Sequence, residues 1–429
     1  MWTTRTLGDV CDEVDGVIQT GPFGSQLHES DYVNDGIPVV MPKNIVDGKV
    51  DISDIAFINQ EDADRLERHK MSVGDIVYGR RGDIGRRALV GPREHGWLCG
   101  TGCLRVSLGD RILDPTYLYY FLGQPIVVNW IANQAVGATM PNLNTGILRS
   151  VAVRYPRLPI QRRIASILSA YDDLIENNTR RIKILEEMAQ MLYREWFVNF
   201  RFPGHRKVKM VESELGQIPA TWTVEPLEEV CSRVTDGSHW SPQTVQSAHL
   251  MASSKDMHTW GLTLSTCRTI AKEDYDTLVR NDCKPLAGDV LITKDGANYL
   301  KFCFAVEKDM EVVLLSSVAM IRPDPIRASS HFLAFYLSDE PVKTRLAGRV
   351  SGAAIPRIVL KDLRQFKILV PPVAIQNGFV QIVEPVVALC WRLIEKNTNL
   401  RTTRDFLLPK LISGEIPVEA ATEPVEQTA

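Results

Sequence analysis

The sequence has no cysteine framework. Its eight cysteines are scattered, Cys99 and Cys103 form the only close pair, and no second pair or histidine cluster completes a zinc site. Free, buried thiols in a reducing compartment are the expectation. No run approaches the ~18 apolar residues of a membrane span, and Met1-Trp2-Thr3-Thr4-Arg5 lacks the apolar core of a secretory signal. An excess of one charge is missing as well: 49 Lys and Arg stand against 52 Asp and Glu. That balance does not advertise nucleic-acid binding, yet a basic face can coexist with a neutral total.

Catalytic signatures are equally sparse. There is no Gly-x4-Gly-Lys-Ser/Thr phosphate loop and no Asn/Asp-Pro-Pro-aromatic string of an amino-methyltransferase. Gly100-Thr101-Gly102 leads into Cys-Leu-Arg-Val-Ser, which reads as a strand and not as the helix of a cofactor loop. Asp47-Gly48-Lys49, with Asp35 upstream, has the spacing of a nuclease Asp-x-Lys, but Gly48 between charges is more simply a hairpin turn. His28, His239 and Asp236 could serve as acid–base groups, but no nucleophile accompanies them.

What the chain does contain is itself, twice. Pro156-Arg157-Leu158-Pro159-Ile160-Gln161 returns as Pro371-Pro372-Val373-Ala374-Ile375-Gln376, an offset of 215 in a chain of 429. Solenoid repeats are far shorter, ~20–50 residues, so this is a duplicated two-part unit. Looser matches precede each copy in the same order. Leu7-Gly8-Asp9-Val10-Cys11 matches Leu227-Glu228-Glu229-Val230-Cys231. Gly74-Asp75-Ile76-Val77-Tyr78 matches Gly288-Asp289-Val290-Leu291-Ile292, a turn running into a strand. Tyr117–Leu122 matches Phe332–Leu337, a short buried helix, and the Gly137–Pro141 loop matches Gly352–Pro356. Each head therefore reads as α+β.

The segments after the heads read as long helices. Ile164, Ile167, Tyr171, Leu174, Leu185, Met188 and Leu192 fall on heptad a and d positions, with polar Asn178 on the same seam. Phe379, Ile382, Val386, Leu389, Leu393, Leu400 and Leu407 do likewise in the second copy. A stripe of ~40 residues, roughly 60 Å, needs a partner, and antiparallel pairing of the two copies supplies it. Pro385 should kink or locally open the second helix. The basic run Arg201–Lys209 lies in a linker and reads as solvated charge or as a contact to phosphates, and the tail after Gly414, rich in Glu, Ala and Pro, is expected to be disordered.

Several strings carry a resemblance to the specificity subunit of Type I restriction-modification enzymes. These are Gly21-Pro22-Phe23-Gly24-Ser25-Gln26-Leu27, Thr235-Asp236-Gly237-Ser238-His239, Thr293-Lys294-Asp295-Gly296, Leu192-Tyr193-Arg194-Glu195-Trp196-Phe197 and Leu407-Leu408-Pro409-Lys410-Leu411-Ile412-Ser413-Gly414. The first head shows no Thr-Asp-Gly-Ser-His string of its own, and Lys301 with its neighbours replaces a glycine that often follows the Lys-Asp-Gly turn. The resemblance implies two α+β target recognition domains separated by two long antiparallel coiled-coil helices, an internal pseudo-twofold repeat. The implied divisions are 1–155 and 222–370 for the domains, 156–200 and 371–414 for the helices, 201–221 for the linker and 415–429 for the tail. It further implies a cytoplasmic, non-catalytic chain, nucleoid-associated when on DNA and without a membrane. Its partners would be double-stranded DNA, two modification subunits and the restriction subunits. S-adenosylmethionine, ATP and Mg2+ would reside on those partners and no cofactor on this chain.

Affinity for DNA would come from cations on phosphates, and specificity from side chains at base edges. Arg suits guanine, and Asn or Gln suits adenine. In the first head Arg80, Arg81, Arg86 and Arg87 surround a glycine-containing turn, Lys43 and Asn44 follow Pro42, and Thr139, Asn142 and Asn144 lie on the Gly-Pro loop. In the second head the candidates are Lys294, Asn298 and Lys301, then Ser238, His239 and Trp240, then Lys255, with Arg349 and Arg357 flanking the Gly-Pro loop. Tyr193, Trp196 and Phe197 are candidates for docking a partner subunit, or for packing on the chain's own heads. Two other readings stay open: an enzyme with degenerate methyltransferase or nuclease motifs, and a coiled-coil scaffold that never touches DNA.

Overall fold

The structure is a computed structural model and describes residues 2–82, 84–135, 142–348 and 357–419. It comprises two compact units, Met1–Asn177 with Asn397–Ala429, and Asn178–Lys396. The long helices are Leu158–Tyr193 and Val373–Ser413, and each contributes one half to each unit.

In the first unit, strand Thr3–Thr6 pairs antiparallel with Ala152–Tyr155 and joins the two ends of the head. An antiparallel sheet runs in the order Val17–Thr20, Cys103–Ser107, Ile76–Gly79, Arg87–Leu89. A second sheet runs Leu98–Cys99, Ile37–Val40, Ala56–Ile58, Tyr32–Val33, its first two strands parallel. The hairpin Ile45–Val46 to Lys49–Val50 turns through Asp47 and Gly48, both at positive φ, so the Asp-Gly-Lys string is a turn.

The second unit repeats this plan. Thr223–Pro226 pairs with Lys367–Val370, and the main sheet runs Cys231–Asp236, Val318–Pro323, Val290–Thr293, Cys303–Ala305. The smaller sheet runs Arg268–Ile270, His249–Ala252, Val312–Leu314, and again the last pair is parallel. A strand equivalent to Tyr32–Val33 is missing from this sheet among the described residues. The Gly-Asp turns have one mechanism in both heads. Asp75 accepts from the Ser72 amide and Asp289 from the Leu286 amide, each at 2.8 Å. Both carboxylates are buried and both face an arginine: Arg322 binds Asp289 through two nitrogens at 2.7 and 2.8 Å, and Arg105 lies 3.6 Å from Asp75.

The shared Ile-Gln string has a physical reason. Gln161 is 1% exposed; its Nε2 donates to the carbonyls of Ile112 and Pro156 at 2.9 Å, and its Oε1 accepts from the Asp114 amide at 2.9 Å. Gln376 is 0% exposed; its Nε2 donates to Arg327 and Pro371 carbonyls at 3.0 and 2.8 Å, and its Oε1 accepts from the Ser329 amide at 2.9 Å. All four positions repeat at the same offset of 215. Asp114 and Ser329 are in turn the N-caps of the buried helices Pro115–Leu122 and Ser330–Ser338. One amide side chain thus fastens the first turn of each long helix to the start of its head's central helix.

The antiparallel pairing is visible inside each unit. In the first, Ile164 and Leu168 near the start of one long helix share a core with Leu408, Leu411 and Ile412 near the end of the other. In the second, Ala189 and Tyr193 share a core with Phe379, Val383 and Val387. The seven-residue repeat holds, with one row shifted. Ile164 and Asn178, and Phe379 and Leu393, are buried on the expected row, whereas Leu174, Met188 and Ile382 are about half exposed. The second row lies one residue further on, at Gln161, Leu168, Ile175 and Ala189 in one helix and at Gln376, Val383, Cys390, Asn397 and Leu411 in the other. Asn178 is buried as expected. The second helix continues through Pro385, whose ring sits on an exposed position.

By length and mean hydropathy, 1.5 over eighteen residues, part of Val373–Ser413 would pass as a membrane span. Polar Gln376, Gln381 and Glu384 interrupt it, and Phe379, Val383 and Val387 lie in the second unit's core.

Two further expectations are corrected here. Residues 201–221 are not a solvated linker: they form the hairpin Met210–Ser213 to Gly216–Pro219, and Phe202 and Ile218 enter the core. Tyr193, Trp196 and Phe197 are 3%, 8% and 3% exposed, which leaves no aromatic face for a partner. The Phe197 ring centroid lies 4.9 Å from that of Phe332 and 5.0 Å from that of Phe379, with Trp222 at 5.8 Å. The final residues fall partly outside the described set: Ile416 and Val418 pack on the first unit's core, and residues 420–429 are not described.

Two outcomes follow for stability. Gln161→Ala strands one buried amide and two carbonyls, each costing about 1–3 kcal/mol. A lower melting temperature and faster hydrogen exchange at the Asp114 amide are expected; unchanged exchange there would refute the clamp. Burial, and then the Arg68 charge, push the buried His69 imidazole down to about 4 from an ordinary value near 6.5. Between those values only the unfolded chain takes up the proton. Stability should therefore fall as pH drops from 6.5 toward 4, by roughly 1.4 kcal/mol per pH unit at most. Urea unfolding of His69→Gln should lose that part of the acid dependence.

Candidate nucleic-acid interface

In each head the loops at one end of the main sheet converge. In the first head this end carries residues 21–26 after Val17–Thr20, residues 80–86 between Ile76–Gly79 and Arg87–Leu89, and residues 100–102 before Cys103–Ser107. Gly21 is obligatory there: a Cβ would lie 2.0 Å from the Gly100 carbonyl oxygen. Thr101 Oγ1 donates to the Pro22 carbonyl at 3.0 Å, the Arg80 amide to Gly102 at 2.8 Å, and Arg81 bridges to Asn142. The Pro42–Asn44 turn closes the cluster, with Pro42 against Gly79 and Gly102.

The second head builds the same cluster from different residues. A Cβ on Gly237 would meet the Leu314 carbonyl oxygen at 2.2 Å. Gly237 donates to Val318 as Gly21 donates to Cys103. The Asp236-Gly237-Ser238 segment therefore occupies the place of Thr20-Gly21-Pro22. The view that the first head has no counterpart of Thr-Asp-Gly-Ser-His is corrected: the two strings are one structural element in two sequences. Asp295 bridges to Arg357 as Arg81 bridges to Asn142, and Asn298 donates to the Ser254 carbonyl at 2.9 Å. The turn Ser253-Ser254-Lys255-Asp256 stands where Met41-Pro42-Lys43-Asn44 stands. In both, the last side chain accepts from the first amide, at 2.8 and 3.0 Å.

The individual candidates divide sharply. Of the four arginines expected to project together, two turn inward. Arg80 Nε donates to the Leu143 carbonyl at 3.1 Å. Arg87 donates to the carbonyls of Tyr119 and Gly85 at 3.0 and 3.2 Å and lies 4.8 Å from the Tyr119 ring centroid. Arg81 and Arg86 are exposed. Asn44 is corrected as well: it is 3% exposed and its amide donates to the Asp51 and Asp54 carbonyls. Lys43 is exposed and pairs with exposed Asp54 at 2.5 Å. Asn142 is half-buried, its Oδ1 enclosed without a partner. Asn144 caps the helix Thr145–Arg149 through the Ile147 amide at 2.9 Å. Thr139 lies outside the described residues, as does Arg349 in the second head.

In the second head Lys294 is the clearest correction. It is 2% exposed, with Nζ 2.9 Å from Asp236 Oδ2. Ser238 is also buried, its hydroxyl donating to the Trp240 carbonyl at 2.7 Å. His239 and Trp240 are exposed, with His239 Nε2 3.3 Å from the same Asp236 oxygen. Lys255 and Arg357 are exposed, and Lys301 is exposed with its ammonium 5.1 Å from the Phe302 ring centroid. The sequence did not single out Phe23, which is 56% exposed two residues after the obligatory glycine. An apolar ring after a strand-ending Thr-Gly-Pro was its only signal.

Each cluster thus offers an exposed ring, Phe23 or Trp240, an exposed lysine on the small turn, Lys43 or Lys255, and an exposed arginine, Arg81 or Arg357. Rings of this kind stack on bases or wedge between them, and the cations suit phosphates or guanine edges. Among the described residues, no group of three or more His, Cys, Asp or Glu is placed to hold a metal.

Residues 1–187 match the family model described as Type I restriction modification DNA specificity domain. The chain is 26% identical over 361 residues to the type I restriction enzyme MjaIX specificity subunit of Methanocaldococcus jannaschii, covering 81% of this chain and 78% of that protein. It is 21% identical over 430 residues to the MjaVIII specificity subunit of the same organism, covering 97% and 93%. Its fold is similar to a crystal structure of a Type-I restriction-modification S subunit from M. genitalium, with a TM-score of 0.58 and 17% identity over 96% of each chain.

The inward and outward arginines should behave oppositely. Arg81→Ala is expected to leave the melting temperature unchanged and to weaken DNA binding, lowering the slope of log K against log salt by about one if it neutralises a phosphate. Arg87→Ala should lower the melting temperature of the first unit. Equal melting temperatures for the two variants would show that the side-chain assignments are wrong.

Proposed function

We propose, from the Type I restriction modification DNA specificity domain matched by residues 1–187 and from the likeness to specificity subunits over most of the chain, that this is the non-catalytic subunit that reads a bipartite, asymmetric DNA target. The observation that carries this reading is the pair of matched loop clusters: the same end of the same sheet, with the same close-approach glycine, but different side chains at the exposed positions. Equal frames dock in equal ways, and unequal side chains select unequal bases. Each head would then read one half of the target, and the helices would set the gap between the halves.

By the same reading the chain works inside a larger complex. Two modification subunits would supply S-adenosylmethionine and the adenine-methylating site, and restriction subunits would supply the ATP- and Mg2+-dependent cleavage. With Tyr193, Trp196 and Phe197 buried, docking falls to other surfaces. The exposed apolar residues of the long helices suit it: Ile184, Met188 and Met191 in one unit, Leu174 and Phe406 in the other. Met191 and Phe406 are 215 residues apart and so hold equivalent places in the repeat. Burying such residues at an interface removes apolar area from water.

Binding selection on random duplex DNA, with the modification subunit present, should return two half-motifs with a constant unread gap. A single contiguous motif would refute the two-reader scheme. Inserting four residues into one long helix should change the gap or abolish binding; an unchanged target would remove the helices from that role.

A further inference from the structure

We propose that Asp236 and Lys294 are positioning residues for base reading by the second head, and that Lys294 itself touches no DNA. The inference rests on the DNA-reading role proposed above. Asp236 ends one strand of the main sheet and Lys294 follows another. Their ion pair, 2.9 Å long, is between side chains only 7% and 2% exposed. The main chain of Lys294 and the adjoining Ser317 hold the neighbouring loops around the pair. The Lys294 amide donates to the Ser317 carbonyl at 3.0 Å, and its carbonyl accepts from Ile358 at 3.0 Å, next to Arg357. The Ser317 hydroxyl accepts from the Ser254 amide at 2.9 Å, next to Lys255. On the outer side the same Asp236 oxygen lies 3.3 Å from Nε2 of exposed His239. Ser238, between them, holds the Trp240 amide at 3.0 Å.

A buried ion pair is a poor source of stability, because desolvation offsets the attraction. Its use is geometric: a charge with one permitted partner fixes where that partner's loop sits. Contacts to base edges need placement within ~0.5 Å, whereas a phosphate contact tolerates a long, mobile cation. The pair therefore bears on base discrimination and not on the count of phosphates neutralised. The first head is an internal control. There Thr20 stands in place of Asp236 and Arg80 in place of Lys294, and Arg80 donates to a backbone carbonyl instead. Only the second half-site should depend on the pair.

The test measures binding by the full chain, assembled with its modification subunits, to its selected target and to second-half-site variants across a salt series. Lys294→Met should keep the wild-type salt slope and the first half-motif, and lose tenfold or more of its discrimination in the second half-site. Lys255→Met, at an exposed position, should instead lower the slope by about one and leave discrimination intact. The neutral pair Asp236→Asn with Lys294→Gln keeps two complementary polar groups of similar size, and should recover part of the discrimination. It also carries the test if Lys294→Met does not fold. A reduced salt slope in Lys294→Met with discrimination intact would overturn the proposal, and so would full discrimination in both variants. Absence of any two-part target for the wild-type chain would refute the DNA-reading role itself, a result separate from either.

Discussion

Two buried glutamine side chains hold this architecture together. Gln161 and Gln376 each satisfy two carbonyls and one amide that would otherwise be stranded in an apolar interior, and each does so where a strand leaves the head and a long helix begins. Because the amide being satisfied belongs to the N-cap of the head's central helix, the direction of the long helix is referred to the core of the head and not to a loose connection. A hydrophobic residue at this position could fill the space but could not impose three distances at once. That is why the Ile-Gln string persists in two halves that have otherwise drifted apart.

From that fixed start the halves diverge in a graded way. The sheets keep order, direction and even the parallel pair of the smaller sheet. The buried Asp–Arg pairs under the Gly-Asp turns keep their chemistry while the arginine shifts along its strand. At the loop ends only the frame survives. The close-approach glycine and the small lysine turn remain, but the bridge of Arg81 with Asn142 becomes one of Asp295 with Arg357, so the cation changes sides. The two clusters therefore present exposed cations and rings on corresponding loops, with the arginine on opposite sides of the bridge.

Much of the frame was legible because it is periodic or local. Gly-Asp before β-branched residues marked Ile76–Gly79 and Val290–Thr293, and Asp47-Gly48 marked a hairpin. The long helices were legible as seven-residue stripes, but which of two adjacent apolar residues takes the second buried place was not, since Leu174 and Ile175, or Met188 and Ala189, suit it equally by composition. The candidate site was legible at the level of loops and not of side chains. Arg80, Arg87, Asn44 and Lys294 all sit in the loops of the two clusters and all point away from the surface. Arg80, Arg87 and Lys294 are drawn inward by acceptors far along the chain, Leu143, Tyr119 and Asp236, and Asn44 by the nearby carbonyls of Asp51 and Asp54. The aromatic ending Tyr193-Arg194-Glu195-Trp196-Phe197 was conspicuous for the same reason that it is buried, its large apolar area.

The sequence by itself determined the duplication, the α+β heads, the paired helices and the loops that make up the two clusters. Those features follow from repeat spacing, turn chemistry and apolar periodicity, which are written in neighbouring residues. Only the tertiary structure decided which cations remain at the surface and which become internal ties. It also showed that Gly21-Pro22-Phe23 and Gly237-Ser238-His239 are one element. Those outcomes depend on which buried acceptor a side chain meets across the fold, and no local pattern records that meeting.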